Sequence, residues 1–329
     1  MGCPNTMNFK ALMMSETHIV LSVYNGSRFI REQIQSIQDQ TLDDWRLWVR
    51  DDGSTDDTLS VLEDIAASDP RIVIHPSDGR QRGVSGGFSW LIERLPDDAC
   101  YVFCCDADDV WLPDKMELSK RVLCLAEASG PGPLLVHTDL QVTDSKLRTL
   151  NHSLWRYLKI RPEPVTLQRL IVENVATGPT ILMNRDLIEK ACPIPDEVPH
   201  HDWWITLVAA AFGKIVALPE ATVLYRRHST NHTGEYDEQT GGFGYWIRKV
   251  VRVLRSTDKL RFWLATSARQ AEIFLDRFEE ELPQEDQDML RDYSEIPRLA
   301  FLKRKLRVLR LRALPGHGFA KNLSLLLRA

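Results

Sequence analysis

The feature that most constrains the fold is the alternation of short apolar runs with segments of helical periodicity. A strand is predicted at Thr17–Tyr24, followed by a helix in which Phe29, Ile30, Ile34 and Ile37 recur. Further strands are predicted at residues 45–50, 71–75 and 101–105, and further helices at 56–67, 85–95 and 113–126. Strands that alternate with helices are typical of a parallel sheet covered on both faces. We therefore predict an α/β fold with a mostly parallel sheet flanked by helices.

The second half of the chain is less regular. Strands are predicted at residues 134–137, 179–184, 215–218 and 222–226, with a helix at 202–212. Beyond Thr240 the strand pattern disappears and an arginine-rich helical pattern continues. We predict an N-terminal tail at 1–16, a main domain at 17–240 and a basic helical C-terminal region at 241–329, with the boundary near Thr240–Gly242.

Composition and cysteine usage indicate a soluble cytoplasmic protein. Hydrophobic residues make up 43% of the chain and charged residues 26%, which is typical of globular proteins. Neither a membrane-spanning run nor a secretory signal is predicted. The cysteines lack CxxC pairs and the spacing of a disulfide framework, so a reducing compartment is expected. They are Cys3, Cys100, Cys104, Cys105, Cys124 and Cys192.

Charge is distributed unevenly between the two parts. Residues 246–329 contain 18 Lys and Arg residues and 11 Asp and Glu residues. Residues 1–245 contain 23 Lys and Arg residues and 35 Asp and Glu residues. Residues 246–255 and 303–312 are both basic and amphipathic. They are interpreted either as a helical lid on the acidic domain or as a surface for an anionic membrane, with Arg304, Lys305, Arg307 and Arg310 as the main contacts.

Two acidic turns follow strands at the same predicted edge of the sheet. One is Asp106-Ala107-Asp108-Asp109, and the other is the segment from Asp51 to Asp56. Clustered carboxylates repel one another unless a cation or solvent relieves them. Mg²⁺ or Mn²⁺ would fit, since such ions bind carboxylates together with phosphate oxygens. A solvated turn in which Asp109 or Asp114 caps the next helix is the alternative.

Six motifs in order resemble the GT-A glycosyltransferases of the inverting family 2. They are Ser22-Val23-Tyr24-Asn25-Gly26, Gln40-Thr41, Asp51-Asp52-Gly53-Ser54-Thr55-Asp56, Asp106-Ala107-Asp108-Asp109-Val110-Trp111, His201-Asp202-Trp203-Trp204 and Tyr225-Arg226-Arg227-His228. The resemblance covers residues 17–234 and is strongest to the bacterial rhamnosyltransferase-like branch. It implies a GT-A (Rossmann-like) catalytic domain at 17–240.

The resemblance also implies a nucleotide site at the strand ends. Its predicted members are Ser22, Tyr24, Asn25, Asp52, Arg80, Arg82 and Asp106. Ser22 and Tyr24 would border the base, Asp52 would accept a hydrogen bond from the ring N–H, and Arg80 or Arg82 would lie near the diphosphate.

A metal site and a base are implied in the same way. Asp108, assisted by Asp106, would hold Mg²⁺ or Mn²⁺ on the diphosphate, and His228 would complete the ligand set. Asp202 would take the proton of the acceptor hydroxyl; its local sequence context also suits a helix N-cap. His228 and His232 alone do not make a zinc site. Trp203 and Trp204 are interpreted as core residues or as a sugar-stacking platform.

The resemblance predicts transfer of one sugar from a nucleoside-diphosphate sugar. The Gln-x-x-Arg-Trp motif of chain-extending relatives is absent from the sequence, so non-processive transfer is expected. The expected donor is dTDP-L-rhamnose, with UDP-hexose or UDP-hexosamine as alternatives. The acceptor is expected to be a saccharide or a polyprenyl-linked saccharide in bacterial polysaccharide synthesis, at the inner face of the membrane. No nucleic-acid partner is expected.

Two other function classes compete with this interpretation. Gly83-Val84-Ser85-Gly86-Gly87 satisfies the Gly-x-Ser-x-Gly pattern of hydrolases, and Ser85, Asp202 and His228 follow in the order of a catalytic triad. That motif requires a strand running straight into the serine, whereas residues 76–82 are polar and turn-like. The second alternative is a non-catalytic sugar-nucleotide-binding protein.

Overall fold

The structure is a computed structural model that describes residues 9–163, 165–228 and 257–311. The chain divides into two compact units. Unit 1 comprises residues 1–165 and 174–226, and unit 2 comprises residues 166–173 and 227–329. The division follows Arg226, and the predicted boundary near Thr240 lies outside the described residues.

The first half of unit 1 is a parallel sheet whose strands are joined by helices. Its strands are β1 (Thr17–Val23), β2 (Trp45–Asp51), β3 (Ile72–His75) and β4 (Tyr101–Cys105), and its helices are α1 (Phe9–Met13), α2 (Ile30–Gln38), α3 (Thr58–Ala66) and α4 (Gly83–Ile92). The strands pair in the order β3-β2-β1-β4, all parallel. Every residue of β4 is buried, as expected for a strand covered on both faces.

The second half of unit 1 adds antiparallel pairs to this sheet. Its elements are β5 (Val110–Trp111), α5 (Lys115–Glu127), β6 (Leu134–Thr143), β7 (Thr149–Asn151), α6 (Leu154–Leu158), β8 (Leu182–Asn184), α8 (Arg185–Ala191), α9 (His201–Phe212) and β9 (Lys214–Arg226); α7 (Leu167–Leu170) belongs to unit 2. β8 lies antiparallel between β4 and β6, and β9 is parallel to β6 and antiparallel to β5. The result is a mixed α/β sheet, β3-β2-β1-β4-β8-β6-β9-β5, with β7 on β6.

One long strand replaces two predicted ones at the end of unit 1. β9 runs without a break, and Leu218 and Ala221 pair with the successive residues Thr138 and Asp139 of β6. Pro219 and Glu220 therefore bulge out of the ladder, where a proline without an N–H group is tolerated. The sequence pattern predicted an interruption because this bulge resembles a turn.

The N-terminal residues differ from the predicted tail. Residues 9–13 form α1, and Leu12 and Met13 pack against the core of unit 1. Lys120 on α5 donates a hydrogen bond to the Thr17 hydroxyl, 3.1 Å away, and also bonds the carbonyl of Ser15. Residues 9–16 are thus part of the folded unit.

The cysteines fall into two groups. Cys104, Cys105 and Cys124 are buried thiols, and Cys192 is a partly buried thiol. Cys100 is disulfide-bonded, which corrects the prediction for this residue.

Unit 2 is helical in its described part. It contains α7, α10 (Thr257–Phe278), α11 (Gln284–Ser294) and α12 (Phe301–Arg310). Apolar residues on α10 and α11 form its core, where the hydroxyls of Ser267 and Tyr293 lie 2.9 Å apart. The basic segment 246–255 lies outside the described residues. In the part of the chain that is described, no helix is both long and apolar enough to cross a membrane.

Candidate active site

The loops that follow β1 and β2 are locked together by hydrogen bonds. Asn25, in the left-handed conformation with φ of 52°, accepts a hydrogen bond from the N–H of Thr55 (2.8 Å) and donates its own N–H to Ser54 Oγ (2.9 Å). The N–H of Gly26 donates to Thr58 Oγ1 at 2.8 Å. Asn25 tolerates this backbone conformation better than most residues do. The loops after β1 and β2, which contain two of the predicted motifs, therefore form one interlocked structure at the carboxyl edge of the sheet.

Ser22 and Tyr24, predicted to border the nucleotide base, occupy different environments. Tyr24 is 50% exposed just beyond β1. Ser22 is packed under α4, since a Cβ atom added at Gly87 would lie 2.1 Å from Ser22 Oγ. Gly87 thus permits the close approach of α4 to β1, and Tyr24 is the better placed of the two for contact with a ligand.

Asp52 ties the end of β2 to the start of α4. Its buried carboxylate accepts the N–H groups of Arg82 (2.9 and 3.0 Å) and Gly83 (2.8 Å), and Arg50 Nε lies 3.3 Å away. A carboxylate at a helix N-terminus satisfies N–H groups that have no partner inside the helix. Asp52 therefore positions α4, and its hydrogen bond with the ring N–H of a nucleotide base stays a prediction.

Asp51 beside it was not predicted as a site residue. Its Oδ2 accepts the N–H groups of Gly53 (3.2 Å) and Ser54 (3.1 Å) and shapes the turn in which Gly53 has a φ of 88°. Its Oδ1 is buried without a hydrogen-bond partner among the described residues. This oxygen is an available acceptor at the carboxyl edge of the sheet.

Arg80 and Arg82, predicted near a diphosphate, lie on a loop held by acidic residues. Arg82 forms a salt bridge with Asp78 at 2.8 Å, and this hydrogen bonding holds the pKa of Asp78 well below its usual range. Arg80 is 70% exposed, with Asp196 3.8 Å away. Buried Arg50 donates to the Arg80 carbonyl at 2.9 Å and so anchors the loop.

Arg50 and Trp90 are structural members of this region that sequence reasoning missed. The guanidinium carbons of Arg94, Arg50 and Arg82 lie 3.9, 4.7 and 5.8 Å from the ring centre of Trp90. These cation–π contacts join the loop to α4. The available signal was an arginine that directly follows Leu47-Trp48-Val49, the apolar part of β2.

The acidic turn at Asp106–Asp109 lies between β4 and β5. Burial, then the Asp108 carboxylate and then the Asp202 carboxylate raise the pKa of Asp106 well above its usual range. Asp109 is fully buried and accepts the N–H of Arg226 at 3.0 Å. The structure thus places Asp106 within electrostatic reach of both Asp108 and Asp202, although nearly a hundred residues separate Asp202 from the turn.

Asp202 lies in the first turn of α9. The N-cap is His200, which corrects the interpretation of Asp202 as the N-cap itself. Asp202 Oδ2 accepts the N–H of Gly178 at 3.0 Å, and its Oδ1 lies 2.6 Å from the N–H of Trp203. These contacts fix the orientation of the carboxylate at the start of α9.

The neighbours of Asp202 belong to the core. His201 is buried and stacks on Phe88 of α4 with ring centres 3.8 Å apart. Trp203 is buried, and fully buried Trp204 donates its indole N–H to the carbonyl of Ala191 at 2.9 Å. Both tryptophans are thus core residues, and Asp202 projects from a firmly packed helix end.

The acidic turn has the chemistry of a divalent-ion site. Carboxylate oxygens are the ligands that Mg²⁺ and Mn²⁺ prefer. Burial, followed by the neighbouring Asp108 and Asp202 carboxylates, raises the pKa of Asp106, and a bound cation would favour its charged form. Within residues 9–163, 165–228 and 257–311 no three His, Cys, Asp or Glu side chains are arranged to hold a metal. A site in which diphosphate oxygens complete two carboxylate ligands fits this carboxylate chemistry and needs no third protein ligand.

His228 follows β9 and belongs to unit 2, and its assignment as a metal ligand stays a prediction. His232 lies outside the described residues.

The structure contradicts the hydrolase alternative. Ser85 lies in the first turn of α4, and seven residues separate Gly83 from the end of β3 at His75. The Ser85 hydroxyl lies 3.5 Å from the Pro199 carbonyl. A nucleophile elbow needs a strand that enters the serine directly, and this connection does not provide one.

Comparison with known proteins identifies the family. The family model of Glycosyl transferase family 2 matches residues 18–191, which is more than half of the chain. The chain belongs to Glycosyl transferase family 2. The match includes the interlocked loops and the acidic turn, and it ends before Asp202.

Family 2 relatives and similar structures extend this result. The chain is 27% identical over 224 residues to dTDP-rhamnosyl transferase RfbG of Shigella flexneri, covering 65% of this chain and 73% of that protein. It is 26% identical over 222 residues to an uncharacterized glycosyltransferase of Nostoc, covering 65% of each protein. The chain therefore spans just under two thirds of the Nostoc protein.

Two solved structures share the fold. TarS of S. aureus (residues 1–349) in complex with UDP-GlcNAc has a TM-score of 0.55 at 17% identity, covering 91% of this chain and 87% of that one. The mannosyltransferase PcManGT of Pyrobaculum calidifontis, in complex with GDP-Man and Mn²⁺, has a TM-score of 0.55 at 16% identity, covering 92% and 74%. These similarities confirm the predicted GT-A fold.

Proposed function

We propose that this family 2 protein transfers one sugar, with inversion, from a nucleoside-diphosphate sugar to a hydroxyl group of an acceptor. The observation that carries the proposal is that the acidic turn packs against the interlocked strand-end loops, since a Cβ atom added at Gly26 would lie 3.7 Å from Ala107 Cβ. Asp106 in this turn also lies within electrostatic reach of Asp108 and Asp202. One region of unit 1 thereby offers an oriented carboxylate and a cluster of aspartates at the carboxyl edge of an α/β sheet, which is where such sheets bind ligands.

Asp202 is proposed as the general base. As the acceptor oxygen attacks the anomeric carbon, the bond between that carbon and the diphosphate oxygen breaks, and the hydroxyl proton passes to Asp202. Gly178 and Trp203 hold the carboxylate through main-chain N–H groups. Firm positioning of the base lowers the entropic cost of reaching the transition state.

Asp106 and Asp108 are proposed to hold Mg²⁺ or Mn²⁺. When bound, a divalent ion neutralises the charge that develops on a departing diphosphate. The proximity of Asp106 to the Asp108 and Asp202 carboxylates supports this assignment, as does the Mn²⁺ in the similar PcManGT structure.

The proposed donor is dTDP-L-rhamnose, supported by the similarity to the relative named dTDP-rhamnosyl transferase. UDP-hexose or UDP-hexosamine is the second candidate, supported by the UDP-GlcNAc complex of TarS. The proposed acceptor is a saccharide or a polyprenyl-linked saccharide, met at the cytoplasmic face of a membrane. On α12, Leu302 and Leu306 are 73% and 67% exposed beside exposed Lys303 and Arg310, which suits peripheral contact with anionic lipid.

Release of nucleoside diphosphate tests the proposed reaction. The full chain is incubated with dTDP-L-rhamnose, UDP-glucose or UDP-GlcNAc, a divalent ion and a saccharide acceptor. We expect acceptor-dependent release from one donor, reversible inhibition by EDTA and a loss of about 10² to 10³ in rate for Asp108→Asn. Asp97→Asn, at an exposed aspartate, is the matched control.

The other outcomes are equally informative. Donor binding without release would support the sugar-nucleotide-binding alternative. Full activity in EDTA, together with an undiminished Asp108→Asn variant, would contradict the metal assignment.

A further inference from the structure

Arg226, the last residue of β9, is a buried arginine directly beside the acidic turn. Only 2% of its surface is exposed. Placing a guanidinium in the interior is costly unless hydrogen bonds and counter-charges compensate it. Its contacts therefore indicate what this residue holds in place.

Two of these contacts are with successive residues of the acidic turn. The side-chain Nε donates to the main-chain carbonyl of Asp108 at 2.8 Å, and the main-chain N–H donates to Asp109 Oδ1 at 3.0 Å. The next residues of the turn continue into β5, where Val110 pairs with Leu224 of β9. The C-terminal side of the turn is thus attached to β9 at three successive residues, through the main chain of Asp108 and Val110 and through the side chain of Asp109.

The rest of the guanidinium is anchored away from the turn. Nη1 donates to the Ser145 carbonyl at 3.0 Å, and Nη2 forms an ion pair with Glu32 on α2. The guanidinium carbon lies 4.5 Å from the ring centre of Phe29. A planar fork with several fixed partners defines one orientation, which a flexible lysine ammonium does not.

We propose that Arg226, held by Glu32, is the positioning residue of the Asp106–Asp109 turn and sets the Asp106 and Asp108 carboxylates for the metal–diphosphate complex. This inference rests on the proposed function and extends it to a residue that does not touch the substrate. Groups that orient metal ligands commonly change metal affinity by roughly 10- to 100-fold when they are removed.

The test measures how much a divalent ion strengthens nucleotide binding. Calorimetry gives the affinity for dTDP and for UDP with Mn²⁺ and with EDTA, and the ratio of the two affinities is the metal increment. We expect Arg226→Gln to lower the increment at least tenfold while the affinity in EDTA changes little, and Arg226→Lys to restore part of it. Arg148→Gln, at a 78% exposed arginine of the same unit, is the matched control.

A purely structural role would instead lower both affinities together and leave the increment unchanged, which would overturn the proposal. If Arg226→Gln does not fold, Glu32→Gln serves as the second variant because Glu32 is 58% exposed. Its increment is expected between those of wild type and Arg226→Lys, and a wild-type increment would also overturn the proposal. If Mn²⁺ does not strengthen nucleotide binding to the wild-type protein, the result contradicts the metal assignment of the proposed function. It then also contradicts the positioning role of Arg226.

Discussion

Individual buried side chains determine how the protein responds to pH. His137 on β6 is fully buried against Trp155, and neither of its ring nitrogens has a hydrogen-bond partner within the described ranges. Burial lowers the pKa of His137 from 6.5 to about 4. Between these pH values the unfolded chain binds a proton that the folded chain does not, so stability falls as the pH drops from 6.5 to 4.

His137→Leu should therefore reduce the acid sensitivity of unit 1. At pH 5 the wild-type histidine costs about 2 kcal/mol of unfolding free energy relative to pH 7. Denaturant unfolding at both pH values, followed by tryptophan fluorescence, should show this difference reduced by about that amount in the variant. The exposed His152 provides the control His152→Leu, and equal pH dependence in wild type and His137→Leu would contradict the interpretation.

At the scale of elements, the ends of the strands and the first turns of the helices position the residues of the candidate site. The apolar runs predicted β1 to β4 closely. The signal is clearest for β1 and β4, which are almost entirely buried and nearly continuous in hydrophobic residues. β5 and β7 have only two and three residues and leave no periodic signal. The roles of Arg50 and Arg226 depend on partners that are distant in sequence, which a single sequence cannot pair. The sequence motifs predicted the acidic turn and Asp202 as site residues. That the two lie close together could be seen only in the fold.

Asp52→Ala tests the link between β2 and α4. Two N–H groups lose their carboxylate acceptor at the start of α4, so the free energy of unfolding should fall by about 2–3 kcal/mol. Asp57→Ala is the matched control, since Asp57 caps α3 without a side-chain hydrogen bond in the described structure. Denaturant unfolding at pH 7 measures both. Similar losses in the two variants would show that Asp52 does not anchor α4.

At the scale of the whole molecule, the helical unit offers a surface that differs from the predicted one. Arg304 donates to the Leu299 carbonyl at 2.9 Å, and Arg307 forms ion pairs with Asp292 and Glu295, so two of the four predicted membrane contacts are engaged within unit 2. The proposed membrane surface is therefore formed by Leu302, Lys303, Leu306 and Arg310. These positions share one side of α12 by helical spacing.

Charge reversal at this surface should weaken membrane binding. Each basic residue near an anionic surface contributes on the order of 1 kcal/mol, so Lys303→Glu with Arg310→Glu should lower the affinity for phosphatidylglycerol-containing vesicles at least tenfold. Lys146→Glu, at an exposed lysine of unit 1, is the control. Co-sedimentation at low and high salt measures the effect. Equal recovery with neutral and anionic vesicles, unaffected by salt, would contradict the proposed attachment.

The central claim is that Asp202 removes the acceptor proton at a site built by the acidic turn. Its most direct test is the single-turnover transfer rate of Asp202→Asn, measured together with its affinity for the donor and compared with the exposed control Glu220→Gln. We predict a transfer rate roughly 10² to 10⁴ times lower, with donor affinity close to wild type, because a general base acts on the proton rather than on donor binding. Normal transfer by Asp202→Asn, or loss of donor affinity that accounts for the whole defect, would contradict the account.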